Sequence, residues 1–195
     1  MPLLGLPRMN TLLTLFNIDR LEEYTRAGFW RDDTFYELVR AHAERAPHRV
    51  AVRSHSGDLN YAKLVELADA FASDLEAAGI TQGQRVAVWL PSRPETIVAL
   101  LACSRNGYVC CPSLHRDHTV AEIVDLLKRM RAVALVSQAD YGADANKRDL
   151  FAQIGEVETL RKLYRLENSA PDRPPGIGAL VGTMNATPRG NPNTI

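Results

Sequence analysis

Five of the six residues in Arg85-Val86-Ala87-Val88-Trp89-Leu90 are apolar, with no polar alternation. A strand covered on both faces reads this way. Pro91 ends the run, Pro94 suits a first helical position, and Glu95 falls near the favourable end of the helix dipole. A helix over 95–105 then carries Ile97, Val98, Leu100, Leu101 and Ala102 to a stop at Gly107, and Tyr108-Val109-Cys110-Cys111 reads as the next buried strand. The interval leaves room for one crossover helix, so the two strands are expected to be parallel and joined in the right-handed sense. The unit recurs. Thr119 and Glu122 have capping-box spacing ahead of Val120, Ile123, Val124, Leu126, Leu127 and Met130, and Ala132-Val133-Ala134-Leu135-Val136 makes a third strand. This alternation predicts an α/β fold, an open, mostly parallel sheet with helices on both faces.

The flanking segments read less cleanly. Residues 12–24 suggest an amphipathic helix through Leu13, Phe16, Leu21 and Tyr24, weakened in its middle by Asn17 and Asp19 and broken by Gly28. Phe29 and Trp30 are expected to clamp onto a domain surface. A second helix over 34–45, capped by Asp32 or Asp33 and stopped before Pro47, would turn Phe35, Leu38, Val39, Ala43 and Ala46 inward. Val50 to Arg53 reads as a strand, and a Ser-Gly-Asp turn folds Leu59 and Asn60 back as a hairpin arm beside the central sheet. Asn60 also suits the N-cap of a long helix over 61–78, with Tyr61, Leu64, Val65, Ala68, Phe71, Ala72 and Leu75 on one face and Gly79 as its left-handed stop. Beyond Val136, residues 149–154 suggest a helix and 163–166 a short strand. The expected organisation is an N-terminal helical arm over 1–30, a partial α/β core over 31–167, and a Gly/Pro-rich connector over 168–195.

Charge argues against polyelectrolyte partners. Lys plus Arg and Asp plus Glu both number 23, so no global field favours nucleic acid or an anionic surface, and aromatics are 7%. Lys128, Arg129 and Arg131 sit where cations meet the last carbonyls of a helix. No apolar run approaches the ~20 residues of a membrane span. Arg8 and Asn10 interrupt the apolar N-terminus, against a secretory signal. Cys103, Cys110 and Cys111 are an odd set with an adjacent pair, which fits reduced thiols and a cytoplasmic location.

Several groupings invite a chemical reading. Cys103, Cys110, Cys111, His115 and His118 are zinc-type ligands. Neighbouring strand residues leave on opposite faces, however, and Cys103 belongs to the preceding helix, so convergence on one ion is not expected. Cys111, His115 and Asp117 would need hydrogen-bond reach to act as nucleophile, base and orienter; ordinary core and loop roles are expected instead. Gly176, Gly178 and Gly182 imitate a dinucleotide loop, but the spacing is one residue too long and Pro174-Pro175 precedes them where a strand is required. His42, His48 and His55 read as surface or turn residues. The sequence therefore assigns no catalytic, cofactor-binding or metal-ligating residue.

The segment Tyr24-Thr25-Arg26-Ala27-Gly28-Phe29-Trp30-Arg31-Asp32-Asp33-Thr34-Phe35 resembles the opening of adenylate-forming acyl-CoA synthetases and aryl-acid adenylating enzymes. Arg49-Val50-Ala51-Val52 and Leu59-Asn60-Tyr61-Ala62-Lys63-Leu64 are similar to the pieces that follow. The most specific likeness is Gly83-Gln84-Arg85-Val86-Ala87-Val88-Trp89-Leu90-Pro91-Ser92-Arg93-Pro94-Glu95, with Gly107 and Pro112 beyond it. The resemblance runs over about 24–136 and resumes at Asn191-Pro192-Asn193. It implies the N-terminal portion of a large adenylation domain. The parent would use ATP, Mg2+ and coenzyme A to activate a small carboxylic acid as an acyl-adenylate and pass it to a thiol. The resemblance places the Ser/Thr/Gly-rich phosphate loop, the adenine and ribose contacts and the catalytic lysine after Ile195. The chain alone is accordingly expected to be inactive. Its partners would be a downstream adenylation core and C-terminal domain, and its uncovered apolar faces would invite self-association. An aryl-acid adenylating fragment and a non-catalytic α/β binding module are the alternatives. Two departures are visible: where many relatives carry Pro-x-x-Pro, Pro112 is followed by Ser113-Leu114-His115-Arg116, and the region from Asn168 to Arg189 is longer and looser than the resemblance implies ahead of the phosphate loop.

Overall fold

The computed structural model describes residues 17–55, 57–113 and 115–168. It divides between Asp33 and Thr34 into two units. In the first, α1 (Ile18–Arg26) begins because the extended Asn17 accepts a hydrogen bond from the Asp19 amide at 2.9 Å. Asn17 is thus the N-cap and not a weak point inside the helix; residues 12–16 lie outside the described residues. Gly28, at φ +76°, reverses the chain, with its amide bonded to the Thr25 carbonyl and that of Phe29 to the Tyr24 carbonyl. The reversal folds both following aromatics over their own helix, where the Phe29 and Trp30 rings lie 6.3 and 5.9 Å from that of Tyr24. Phe29 remains 77% exposed.

The second unit opens with α2 (Phe35–Arg45), capped by Thr34 and not by Asp32 or Asp33. Thr34 is extended, and a reciprocal box joins its amide to Glu37 Oε2 at 2.7 Å and the Glu37 amide to its hydroxyl at 3.2 Å. The inward face is also different from the expected one. Phe35 is 68% exposed and Leu38 points outward, whereas Tyr36 is buried and Val39 packs against the core. Tyr36 wins because its hydroxyl donates to Asp69 at 2.6 Å, leaving its ring free to be covered.

Strands β1 (Val50–Val52) and β2 (Leu59–Asn60) pair antiparallel as the expected arm, in a two-stranded sheet of their own. Asn60 caps α3 (Tyr61–Ala77) by accepting from the Lys63 amide at 2.8 Å. At the other end Gly79 donates to the Glu76 carbonyl and Ile80 to the Leu75 carbonyl. These two bonds make a Schellman closure, in which Leu75 and Ile80 supply the accompanying apolar contact.

The central sheet has four parallel strands in the order β4-β3-β5-β6: β3 (Arg85–Trp89), β4 (Val109–Ser113), β5 (Ala134–Gln138) and β6 (Lys162–Leu166). Alternate residues face opposite layers. Val86, Val88 and Leu90 pack with Val98 and Ala102 of α4 (Pro94–Asn106) and with Phe71 of α3. Ala87, Trp89 and Leu135 pack with Ile123 and Leu127 of α5 (Val120–Met130) and with Leu150 of the short α6 (Leu150–Gln153). Helices therefore cover both faces, as the apolar strands require.

Two strand readings need correction. β4 is not a buried strand but an edge, with Val109 44% exposed. Pro112 is tolerated there because an edge position has no second ladder to feed. β5 starts two residues later than expected and runs through Ser137 and Gln138, because Arg131 ends α5 in the left-handed region at φ +52° and the chain needs Ala132 and Val133 to reach the ladder. Among the described residues no helix is long and apolar enough to cross a membrane.

Candidate functional site

Open parallel sheets take ligands beyond the carboxyl ends of their strands. At that edge the chain builds a buried ionic cluster. Arg93 occupies the N-cap position of α4 with extended backbone, φ −138° and ψ 148°, and makes no side-chain cap. Its guanidinium instead forks onto Glu95, with Nη2 to Oε1 at 2.6 Å and Nε to Oε2 at 3.2 Å. Nη1 donates to the Gln138 side chain at the end of β5 at 2.8 Å and to the Glu167 carbonyl just past β6 at 2.7 Å. Arg93 and Glu95 are only 7% and 2% exposed. Bidentate pairing and the two further acceptors make this burial tolerable. Since four of its five N–H donors are engaged, its charge is neutralised by Glu95 and it is buried, Arg93 serves as a clamp among elements and not as a receptor for an incoming anion. The sequence reading passed over this group, although Arg-Pro-Glu between an apolar strand and an apolar helix was its visible signal.

Beside it, Trp89 organises the ends of β3 and β4. Its indole donates to the His115 carbonyl at 3.0 Å, its own carbonyl accepts from the Ser137 hydroxyl at 2.9 Å, and the Tyr141 ring meets it edge-on at 5.2 Å. Gly142, at φ +132°, passes so close that a Cβ there would lie 2.7 Å from the Trp89 ring. Burial holds the Tyr141 phenol above its ordinary value.

The sulfur and imidazole residues fall into separate groups. Cys103 on α4 and Cys110 on β4 share a thiol hydrogen bond; it and burial hold the Cys103 proton on, while at Cys110 the same bond lowers the pKa against the opposing effect of burial. Cys111 turns back to the Val109 carbonyl at 3.8 Å, and burial, followed by the neighbouring Cys110, raises its pKa. That shift is opposite to the one an activated nucleophile needs. His115 and His118 stack edge-to-face at 5.8 Å, while His42 stacks on Tyr61 at 5.3 Å. Among the described residues no three His, Cys, Asp or Glu side chains are grouped to hold a metal ion. Gly176, Gly178 and Gly182 lie outside the described residues. A groove of about 480 Å³ lined by Glu76, Gly79, Thr81, Gln82, Asn106 and Tyr108 sits at the opposite, amino end of β3 and β4.

Comparison with known proteins places this edge in context. A family model described as AMP-binding enzyme matches residues 39–180. The chain is 34% identical over 155 residues to the salicyl-AMP ligase / salicyl-S-ArCP synthetase of Mycobacterium tuberculosis, covering 75% of this chain and 26% of that protein. It is 33% identical over 125 residues to the medium-chain fatty-acid–CoA ligase of Escherichia coli, covering 64% of this chain and 22% of that protein. The apo structure of MbtA from Mycobacterium smegmatis superposes with a TM-score of 0.62 at 30% identity, over 90% of this chain and 32% of that one. Coronafacic acid ligase from Pectobacterium brasiliense, in its R395G form, shares the fold with a TM-score of 0.63 at 18% identity, over 76% of this chain and 29% of that one. The chain thus spans about a quarter of the length of several curated relatives it matches.

Proposed function

The chain belongs to the AMP-binding enzyme family, and from that premise we propose that it forms the N-terminal part of an ATP-dependent carboxylate–CoA ligase. The reaction would join an acid to ATP as an acyl-adenylate with release of pyrophosphate, then pass the acyl group to the CoA thiol. The observation that carries this reading is the crossover from Arg85 to Ser113. There the residues most similar to the family fold into adjacent parallel strands around α4. ATP and Mg2+ are implied by the family, and the described residues do not fit them. Arg93 is occupied by Glu95, Gln138 and Glu167, and no three acidic or imidazole groups converge. The role assigned to these residues is therefore to shape the ligand edge, with the reacting groups supplied by a downstream adenylation core and C-terminal domain. A cytoplasmic location belongs to the same proposal.

The purified chain, mixed with ATP, Mg2+, CoA and a panel of medium-chain and aromatic acids, is expected to release no pyrophosphate and to show flat amide shifts on nucleotide titration. Acid-dependent pyrophosphate release would overturn the assignment of catalysis to other residues. Saturable shifts at the strand ends would favour the non-catalytic binding module.

A second reading changes the acceptor to a carrier-protein thiol and the acid to an aromatic one. It is favoured by the salicyl-AMP ligase match, which covers more of this chain than the fatty-acid–CoA ligase match does. Either reading leaves apolar surface uncovered: Phe35 and Leu38 on α2 and Ile97 and Leu100 on α4 are exposed. Self-association through these side chains is expected to raise the sedimenting mass with concentration, and Phe35→Ser with Leu100→Ser should suppress the rise. A concentration-independent monomer would refute it.

A further inference from the structure

We propose that Arg93 is a positioning residue that fixes where the chain leaves β6, holding Glu167 and, through it, Asn168 at one set point on the ligand edge. The inference rests on the ligase reading only in calling that edge the ligand edge. Its geometry stands on three observations. First, Arg93 reaches across 74 positions of sequence to the Glu167 carbonyl at 2.7 Å, a backbone acceptor beyond the last ladder residue of β6. Second, the same Nη1 holds the Gln138 side chain at 2.8 Å, so the ends of β5 and β6 are referenced to one atom. Third, Asn168 is fastened independently. Its side-chain amide donates to Asp140 Oδ2 at 2.8 Å, and Asp140 stands in the left-handed region at φ +56°, a conformation that a non-glycine residue seldom adopts without reason.

The division of labour within the cluster follows from its chemistry. Glu95 neutralises the guanidinium and orients its fork, which leaves Nη1 directed at β5 and β6. A lysine would supply the charge as a point and could not hold the carboxylate and two other acceptors in one plane. Structural support and positioning are separable, because a buried ion pair can be exchanged for apolar side chains of similar volume with little loss of stability. The carbonyl tether has no apolar substitute.

The test uses the complete 195-residue chain and glutamyl endopeptidase, since Glu167 is the last glutamate in the sequence. Arg93→Met alone should both lower the melting temperature and speed cleavage after Glu167. In Arg93→Met/Glu95→Leu the melting temperature should return towards the starting value, while cleavage after Glu167 stays about ten-fold faster than in the parent chain and cleavage after Glu66 is unchanged. Parent-like cleavage after Glu167 in the double variant, or equal acceleration after Glu66, would overturn the proposal. A second measurement needs no variant to fold. The unsubstituted chain should show an NMR through-hydrogen-bond coupling between Arg93 Nη1 and the Glu167 carbonyl carbon, and its absence would count decisively against the tether. Neither readout involves ATP or an acid. A failed adenylation reading with an intact coupling would therefore remove the ligase assignment alone, whereas a missing coupling would remove only the positioning role.

Discussion

Phe71→Asp should leave the second unit unfolded at 25 °C in the absence of denaturant. Phe71 has no exposed surface, lies in the middle of α3, and meets the Tyr164 ring edge-on at 4.8 Å. Removing a buried Phe side chain costs ~3–5 kcal/mol in lost transfer and packing. An unpaired carboxylate in the same place adds a desolvation penalty of several kcal/mol, unless it takes up a proton. Together these approach the whole ~5–15 kcal/mol by which a domain is stable. The sign of the pH dependence follows. Burial raises the folded-state pKa of the new carboxyl above its unfolded value, so the variant's deficit shrinks as the pH falls and the carboxyl becomes neutral, and grows as the pH rises. Circular dichroism with urea titration of Phe71→Asp and Phe71→Leu checks this. Phe71→Leu should fold with a loss of only ~1–2 kcal/mol. A Phe71→Asp midpoint near that of the parent chain would show that the face buried by α3 has been misread.

Glu95→Ala carries the second largest expected effect. It strands the Arg93 guanidinium among Gln138 and Glu167 with no countercharge, and breaking one partner from a buried pair costs ~3–5 kcal/mol. Such a loss should be nearly insensitive to salt, because neither side chain is more than 3% exposed and mobile ions cannot screen the pair. Denaturant midpoints in low and high salt measure both points. A loss below ~0.5 kcal/mol, typical of surface substitutions, would mean that the cluster is not buried as described.

The elements that were readable in advance are those whose cause is local. Thr119 with Glu122 and Asn60 before α3 meet their partners within one helical turn, and both caps form as expected. The apolar run of β3 and the interval to β4 imposed a parallel crossover, because one helix fits between them and little else does. Readings failed where local candidates were equivalent. Asp32, Asp33 and Thr34 all serve as N-caps in isolation, and the choice of Thr34 depends on Glu37 reaching back to it. Tyr36 displaced Phe35 from the inward face because Asp69, on another helix, accepts its hydroxyl. Cys103 and Cys110 belong to different elements, and only the packing of α4 beside β4 brings their thiols together.

Period, capping and connection length act within about a dozen residues, so composition and order alone specify the α/β alternation, the parallel sense of the sheet and the family likeness in the β3–α4 crossover. Strand order is different in kind. Each strand of an apolar sheet can in principle pair with several others, and only the packing of all the helices selects β4-β3-β5-β6. That choice makes β4 an edge and sets β6 beside β5. It also brings Gln138 and Glu167, 45 and 74 positions away in sequence, to the same guanidinium nitrogen. No local pattern encodes such a convergence, because the desolvation that makes an Arg93 with Glu95 pair important exists only once the sheet has closed around it.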